Sequence, residues 1–337
     1  MSTPETCPSD MPKYLQEIQL TEKFKDLILS LPREKGWVST LHQYQGFWHG
    51  TRFIQGVLSF QKHFQSQNAD VILVSTPKSG TTWLKAIIFS LVNRTTFPDP
   101  KHHPLLTTNP HVLVPFLELD LFINDDENRL PNLSSFSSSS SCPRLFSTHL
   151  PYVSLPESVK SSACKLVYLC RNPKDTFVSL WHFTNRLRPE SWGENSMEEA
   201  FEKFCRGVSL YGPFWDHSLG YWKESLERPE KVLFLRFEDM KREPDINLRK
   251  LAEFIGCPFS EEEEAKNVVE NVLKLCSFES LSNLEVNKKG KLWSGQAHKA
   301  FFRRGEVGDW VNYLTDEMAE RLDLIVEQKM HGSGLKF

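Results

Sequence analysis

The feature that most constrains this chain is a short apolar run followed at once by a polar loop containing one glycine. Within Asp70 to Ser75, the side chains Val71-Ile72-Leu73-Val74 are all apolar, which predicts a strand buried on both faces of a parallel sheet. Turn-forming residues follow from Thr76 to Gly80, and Thr81 to Asn93 reads as a helix. A strand, a loop and a helix in this order are the start of a βαβ unit, so the chain is expected to build an α/β sheet here.

The same kind of unit recurs along the chain. Further candidate strands cover 144–149, 165–170 and 231–237, and further candidate helices cover 15–29, 173–185, 246–255 and 316–328. Strands that alternate with helices predict a doubly wound, mainly parallel sheet with helices on both faces. No domain boundary is recognisable in the 337 residues. Residues 69–337 are therefore expected to form a single domain, with 1–68 as an N-terminal segment that packs on it and is not independent.

Composition excludes several classes of protein. The net charge of -3 argues against a dedicated nucleic-acid binder, and no apolar stretch approaches the roughly 20 residues that span a bilayer. The seven cysteines are scattered without metal-ligand spacing, which suits a reducing compartment. We expect a cytoplasmic protein that has no nucleic-acid, membrane or protein partner and no metal. The serine-rich stretch Ser134 to Ser141 is expected to be a mobile surface loop.

The loop after the first buried strand carries the strongest chemical signal. It reads Pro77-Lys78-Ser79-Gly80-Thr81-Thr82-Trp83, and it leads into a helix. Free backbone N–H groups at a helix N-terminus favour an anion, Lys78 adds positive charge, and Gly80 allows close approach of the main chain. The lysine precedes the glycine, so the spacing differs from that of the nucleotide-binding P-loop. The sequence predicts a P-loop-like site for a phosphate or sulfate group.

Five ordered motifs together resemble the cytosolic sulfotransferase family, whose members use 3′-phosphoadenosine 5′-phosphosulfate (PAPS). The motifs are Thr76 to Trp83, Phe146 to Pro151, Tyr168 to Phe183, Phe237 to Met240 and Phe301 to Trp310. The dipeptide Gly36-Trp37 and the stretch Tyr44 to Trp48 resemble the plant branch of the family.

The resemblance implies a role for each matching residue. The 5′-phosphosulfate is expected on Lys78, Ser79, Gly80, Thr81, Thr82 and Trp83. Aromatic walls of the adenine pocket are expected at Trp83 and Phe278. The 3′-phosphate is expected on Arg171, Ser179, Arg303, Arg304 and Gly305. The catalytic residues are expected to be His149 as general base and Lys78, which faces the oxygen that bridges phosphorus and sulfur.

The reaction implied by this resemblance is transfer of a sulfuryl group from PAPS to a hydroxyl of a small organic acceptor. A neutral imidazole can accept the hydroxyl proton, and a lysine can stabilise charge on the leaving phosphate. In plants the family sulfates flavonoids, steroids, hydroxyjasmonate and desulfoglucosinolates. No residue in the sequence selects among these four classes.

Two other functions remain open from the sequence. One is a metal-dependent P-loop kinase for a small molecule, and the other is a nucleotide-binding protein whose catalytic site has decayed. Departures from the family pattern motivate the second: Phe237 replaces a tyrosine, Cys276 replaces a threonine, and Ser147 replaces a lysine found in animal members. A sulfate-transfer assay discriminates these functions.

Overall fold

The structure of the protein, a computed structural model, describes residues 22–123, 131, 133 and 143–337. Its strands are β1 (Arg33–Lys35), β2 (Thr40–Tyr44), β3 (Phe47–Gly50), β4 (Val71–Ser75), β5 (Leu145–Thr148), β6 (Lys165–Cys170) and β7 (Val232–Arg236). Its α-helices are α1 (Glu22–Ser30), α2 (Thr51–His63), α3 (Thr81–Asn93), α4 (Pro110–Leu113), α5 (Glu157–Ser161), α6 (Pro173–Leu187), α7 (Met197–Cys205), α8 (Phe214–Glu227), α9 (Phe237–Arg242), α10 (Pro244–Phe254), α11 (Glu261–Ala265), α12 (Val268–Leu275), α13 (Phe278–Asn283), α14 (Glu285–Lys289) and α15 (Asp316–Met330). None of the helices in these ranges is both long enough and apolar enough to traverse a bilayer.

The predicted central sheet is confirmed. Strands β5, β4, β6 and β7 lie side by side in that order, and every pair is parallel. Because β5 lies on one side of β4 and β6 on the other, the winding reverses at β4. A crevice for a ligand forms at the carboxyl ends of the strands where such a reversal occurs. The predicted strands match within one residue at each end, whereas 15–21 and the serine-rich 134–141 lie outside the described residues.

Helices cover both faces of this sheet, as predicted. Side chains of β4 alternate between two apolar clusters, with Ile72 and Val74 in one and Val71 and Leu73 in the other. The first cluster packs against α2, α6, α8 and α15, and the second packs against α3, α10 and α12. Burial on both faces explains why β4 reads as a continuous apolar run rather than an alternating one.

A second, antiparallel sheet of β1, β2 and β3 was not predicted from the sequence. Its hairpin turns at Gln45 and Gly46, whose φ angles of 52° and 87° are both left-handed. This is the conformation that type I′ turns require. The backbone of Trp48 in β3 exchanges hydrogen bonds of 2.7 and 3.0 Å with the 211–212 segment. The hairpin therefore extends the N-terminal segment across one side of the ligand crevice.

Helix α2 makes an unusually close backbone contact with the turn at 117–121. A methyl group built on Gly56 would lie 2.0 Å from the carbonyl oxygen of Glu118. Only a glycine permits this distance. The same Glu118 side chain supports the site described below, so this contact links the packing of α2 to the crevice.

We expect Gly56→Ala to destabilise the protein. Displacing the 117–121 backbone costs about 1–3 kcal/mol, which outweighs the helix propensity that alanine adds. The matched control is Gly220→Ala in α8, where the new methyl would lie 3.6 Å from the side chain of Tyr152, an ordinary contact. That variant should gain about 0.5–1 kcal/mol. Denaturant unfolding measures the free energy of unfolding of both variants. If both substitutions changed it by the same amount and in the same direction, the close contact between Gly56 and Glu118 would be contradicted.

Candidate active site

A cavity of about 430 Å³ lies at the carboxyl ends of β4, β5 and β6. Its floor is formed by the loops that follow these strands. Every residue predicted for the site lines it except Ser79. Those that line it are Lys78, Gly80, Thr81, Thr82, Trp83, His149, Arg171, Ser179, Phe278, Arg303, Arg304 and Gly305. The structure thus brings together predicted residues from four of the five motifs, together with Phe278, which lies outside them.

The loop after β4 is braced from within by its own hydroxyls. Thr76 Oγ1 and Ser79 Oγ lie 2.6 Å apart, and Ser75 Oγ and Thr81 Oγ1 are also 2.6 Å apart. Ser79 is fully buried, and its hydroxyl bonds within the loop, so its predicted role in donor binding stays a prediction. The hydroxyls hold the main chain in the unusual shape that the site needs.

That shape includes two left-handed residues, Lys78 with φ of 72° and Gly80 with φ of 106°. A lysine in this conformation is strained, and such strain concentrates at functional sites. A methyl group on Gly80 would lie 2.7 Å from the ring of Phe237. The glycine thus allows the loop to pack directly against an aromatic wall.

The Lys78 ammonium lies among other cations. Its Nζ is 4.3 Å from the centroid of the Phe183 ring. Burial, and then the charges of Arg186, Arg171 and Arg303, lower the pKa of Lys78 to about 7. A bound anion would reverse this effect, because negative charge favours the protonated amine. The electrostatics of this end of the cavity suit an anionic ligand.

The arginines opposite the loop are held in place by backbone and carboxylate groups. Arg171 donates to the carbonyl oxygen of Glu306 at 2.6 Å, and Arg304 donates to Asp309 at 2.7 Å. Arg303 donates to the same Asp309 carboxylate. The Nε–H groups of Arg171 and Arg303 are buried and have no hydrogen-bond partner among the residues that the structure describes. Buried donors without partners are costly, so these two N–H groups are available for an anion.

The segment 303–310 is anchored to the start of helix α6. Asn172 caps this helix, since its side chain accepts a hydrogen bond from the backbone of Lys174. In the first turn of the helix, the Asp175 carboxylate accepts hydrogen bonds from the backbone N–H groups of Gly308 and Trp310, at 2.8 and 3.1 Å. This contact positions the arginines that precede Gly308.

Aromatic rings form the neighbouring wall. Trp83 and Phe237 meet edge to face with centroids 5.4 Å apart, and the Arg171 guanidinium lies 4.6 Å from the Phe237 centroid. Phe278 lines the same region and touches Gly305, where a methyl group would lie 2.6 Å from the ring. Cys276 does not line the cavity; it is fully buried and contacts Ser90.

His149 follows β5 and is fixed by hydrogen bonds on several sides. Its Nδ1 lies 2.6 Å from the carbonyl oxygen of Ser75. Because a carbonyl only accepts, Nδ1 carries the proton and Nε2 carries the lone pair. The backbone N–H of His149 donates to Glu118 at 2.8 Å, and its carbonyl accepts from His217 at 2.9 Å. Burial is the main cause that lowers the pKa of His149 to about 3.

Several residues at the cavity were missed by sequence reasoning. They include His111, Phe116, Phe183, Tyr211 and Phe301, all of which line the cavity. His111 had a usable signal, since Asn109-Pro110 is a typical helix start and Asn109 does cap α4. Ser147, at the place of the animal lysine, faces inward and donates to the carbonyl of Pro115 at 3.0 Å.

Comparison with known proteins decides the family. The Sulfotransferase domain family matches residues 68–334. The chain belongs to the sulfotransferase family. Cytosolic sulfotransferases 12 and 5 of Arabidopsis thaliana are each 52% identical to it, with 98% and 94% of this chain and 98% and 97% of theirs covered. The predicted family, its plant branch and the enzyme class are confirmed, and the names of these relatives agree with the predicted cytoplasmic location.

Solved structures support the same fold. An Arabidopsis thaliana sulphotransferase aligns with a TM-score of 0.71 at 43% identity, covering 95% of this chain and 99% of that chain. A mouse sulfotransferase complexed with PAP, the product that PAPS leaves after transfer, aligns with a TM-score of 0.64 at 27% identity, covering 87% and 95%. The sulfotransferase fold predicted for this chain is therefore confirmed.

We expect His149 to stay neutral throughout the range in which an ordinary imidazole titrates. Its pKa of about 3 keeps the Nδ1–H tautomer from pH 8 down to pH 5. Ring-nitrogen NMR shifts across this range, assigned with a His149→Gln variant that lacks the signal, measure both the charge and the tautomer. Titration near pH 6.5, or a protonated Nε2, would contradict the geometry.

Proposed function

We propose that this sulfotransferase moves the sulfuryl group of PAPS to a hydroxyl of a small organic acceptor, with His149 as general base. One observation carries the proposal. The Ser75 carbonyl ties up Nδ1 of His149, so the lone pair of Nε2 remains available at the cavity that also holds Lys78. The site thus contains a proton acceptor together with a cation for a leaving anion.

The two ends of the donor fit two regions of the cavity. The 78–83 loop, with its left-handed backbone and helix N-terminus, suits the 5′-phosphosulfate. The partnerless Nε–H groups of Arg171 and Arg303 suit the 3′-phosphate, together with Ser179, Arg304 and Gly305. Trp83 and Phe278 also line the cavity and suit the faces of the adenine ring. The mouse relative complexed with PAP supports this donor.

The reaction follows from this arrangement. The acceptor hydroxyl gives its proton to Nε2 of His149 as its oxygen attacks sulfur. The bond between sulfur and the bridging oxygen breaks, and that oxygen leaves on PAP with its charge stabilised by Lys78. The low pKa of free His149 does not prevent this, because a bound polyanion raises the pKa of a neighbouring base. Donor binding therefore prepares both catalytic residues.

The acceptor occupies the part of the cavity beyond His149. Its walls are largely apolar, from Trp37, Leu41, Phe53, Ile123 and Leu210. Such a wall favours the ring systems of flavonoids and steroids over the sugar-bearing desulfoglucosinolates. Hydroxyjasmonate remains compatible, since the cation Arg52 also lines the cavity.

The two alternatives predict different requirements. A P-loop kinase would need ATP and Mg²⁺, whereas sulfuryl transfer from PAPS should continue in EDTA. A decayed site would bind nucleotide without turnover. The network of hydrogen bonds around His149 argues against decay, because it fixes the tautomer that a base requires.

We expect His149→Ala to lose about 10²–10⁴-fold in turnover, the usual contribution of a positioned general base. The affinity for PAPS should change little, because the proposed donor contacts lie elsewhere. The loss of turnover in His149→Ala should be smaller with a phenol of low pKa than with an alcohol, because the phenol ionises more easily without a base. Lys78→Ala is the comparison, because it should weaken PAPS binding as well as rate. Mass spectrometry of sulfated products, with EDTA present, measures each rate; a folded His149→Ala within threefold of wild type on an alcohol would refute the role.

We expect Gly305→Ala to weaken PAP binding by at least tenfold, because the added methyl collides with the Phe278 ring. Gly308→Ala is the matched control: its φ of 82° is similarly left-handed, but its methyl would meet nothing within 4 Å. Calorimetry with PAP and with AMP, which lacks the 3′-phosphate, tests the same region. Wild-type protein that binds both nucleotides equally would place the 3′-phosphate outside the arginine cluster.

A further inference from the structure

Lys85 is a fully buried lysine on helix α3, directly behind the wall of the cavity. It forms no ion pair with a carboxylate in the described part of the chain; Asp120 and Glu118 act on it only from a distance. Its Nζ lies 3.1 Å from Nδ1 of His111 and 3.4 Å from the centroid of the Phe116 ring. Burying an ammonium group is expensive, so this position requires a physical reason.

The partners of Lys85 form a chain that ends in the anion-binding loop. Nε2 of His111 lies 2.9 Å from Oγ1 of Thr82, and Thr82 lines the cavity. Burial lowers the pKa of Lys85 to about 7, and the negative charge of a bound donor favours its protonated form. In that form the lysine ammonium only donates, so Nδ1 of His111 accepts. A neutral imidazole has one N–H, which then lies on Nε2 and donates to the Thr82 oxygen. The Thr82 hydroxyl proton is left to point at a ligand.

His111 remains neutral in this arrangement. Burial, and then the charge of Lys85, lower the pKa of His111 well below its usual value. The ring also packs against Phe301, with centroids 4.3 Å apart and ring planes tilted by 41°, which restricts its orientation. The direction of donation is therefore set by the lysine at one end and by the ring orientation in the middle.

We propose that Lys85, acting through His111, is a positioning residue that turns Thr82 into a hydrogen-bond donor toward the 5′-phosphosulfate. This relay, Lys85–His111–Thr82, places a positive charge behind the phosphosulfate end of the donor, although Lys85 itself does not contact the donor. Hydrogen bonds in such a chain polarise one another in a low-dielectric interior, so the Thr82 hydroxyl becomes a stronger donor than a free one. This inference rests on the proposed location of the donor in the 78–83 loop.

The relay is tested by a double-mutant cycle on the full-length enzyme. Lys85→Met keeps the shape of the side chain without its charge, and Thr82→Val keeps the shape without the hydroxyl. The probes are the dissociation constant of PAP and kcat/KM for PAPS, with the KM of the acceptor measured alongside. Thermal unfolding confirms that each variant is folded. If Lys85→Met does not fold, His111→Gln replaces it in the cycle.

We expect Lys85→Met to weaken PAP binding and to lower kcat/KM for PAPS by about tenfold, roughly the effect of one hydrogen bond. The acceptor KM should not change. In the Thr82→Val background, Lys85→Met should change the dissociation constant of PAP and kcat/KM for PAPS by less than a further twofold. Thr82→Ser, which restores the hydroxyl, should restore the sensitivity to Lys85→Met.

The matched control is Lys241→Met. Lys241 also lies at this end of the cavity, 5.6 Å from the Trp83 centroid, but no hydrogen bond in the structure links it to Thr82. Lys241→Met should change PAP binding by the same factor in the wild-type protein and in the Thr82→Val variant. An effect of Lys85→Met that is equally large with and without the Thr82 hydroxyl, or absent in both, overturns the relay while leaving the donor site intact. Wild-type protein without affinity for PAP overturns the proposed function, and the relay with it.

Discussion

The parallel pairing of β4 with β5 on one side and β6 on the other is the constraint on which the site depends. Val74 is level with Thr148 across one interface and with Tyr168 across the other. The next residues along each strand therefore emerge at one edge of the sheet. This register places the phosphosulfate loop, His149 and Arg171 around a common cavity, although they are up to 93 residues apart, as in the contact between Arg171 and Lys78. Slipping one strand by one residue would turn its side chains to the opposite face.

Desolvation is the second physical theme of the site. Burial lowers the pKa of Lys78, of His149 and of Lys85, which leaves each of them easier to deprotonate than in water. The negative charge of an anionic donor would favour the protonated form of all three, and it would act on Lys85 from a distance because Lys85 lies behind the cavity wall. The free site is thus poorly stabilised by its own charges, and the ligand supplies the compensating negative charge. Such preorganised polarity is the kind of electrostatics that favours a transition state with charge on a leaving phosphate.

The sequence predicted the elements whose signal is local. Strands β4 and β6 read as apolar runs because both of their faces are buried, and the predicted helix at 173–185 lies within α6. The hairpin at Gln45-Gly46 was missed although its glycine suggested a turn, because aromatic residues on both sides obscured the alternation. The Sulfotransferase match at 68–334 and the sheet confirm the family and fold predicted from the ordered motifs.

What the sequence did not predict depends on contacts between distant residues. Ser79 carries the right chemistry for an anion site, but its hydroxyl is used to brace the loop. Asp175 occupies a capping position, yet it binds the backbone of a segment 133 residues further along. Lys85 looks like a polar residue on a helix surface, and only the structure shows it buried behind His111. These contacts depend on the folded chain, so spacing rules applied to the sequence do not predict them.

The most direct test of the account is a crystal structure of the protein with PAP and a phenolic acceptor. The account predicts the acceptor oxygen at about 2.6–3.2 Å from Nε2 of His149, the distance that proton transfer to a base requires. It also predicts the 5′-phosphate on the 78–83 loop and the 3′-phosphate beside Arg171 and Arg303. A nucleotide bound in the reverse direction, or an acceptor hydroxyl directed away from His149, would contradict it.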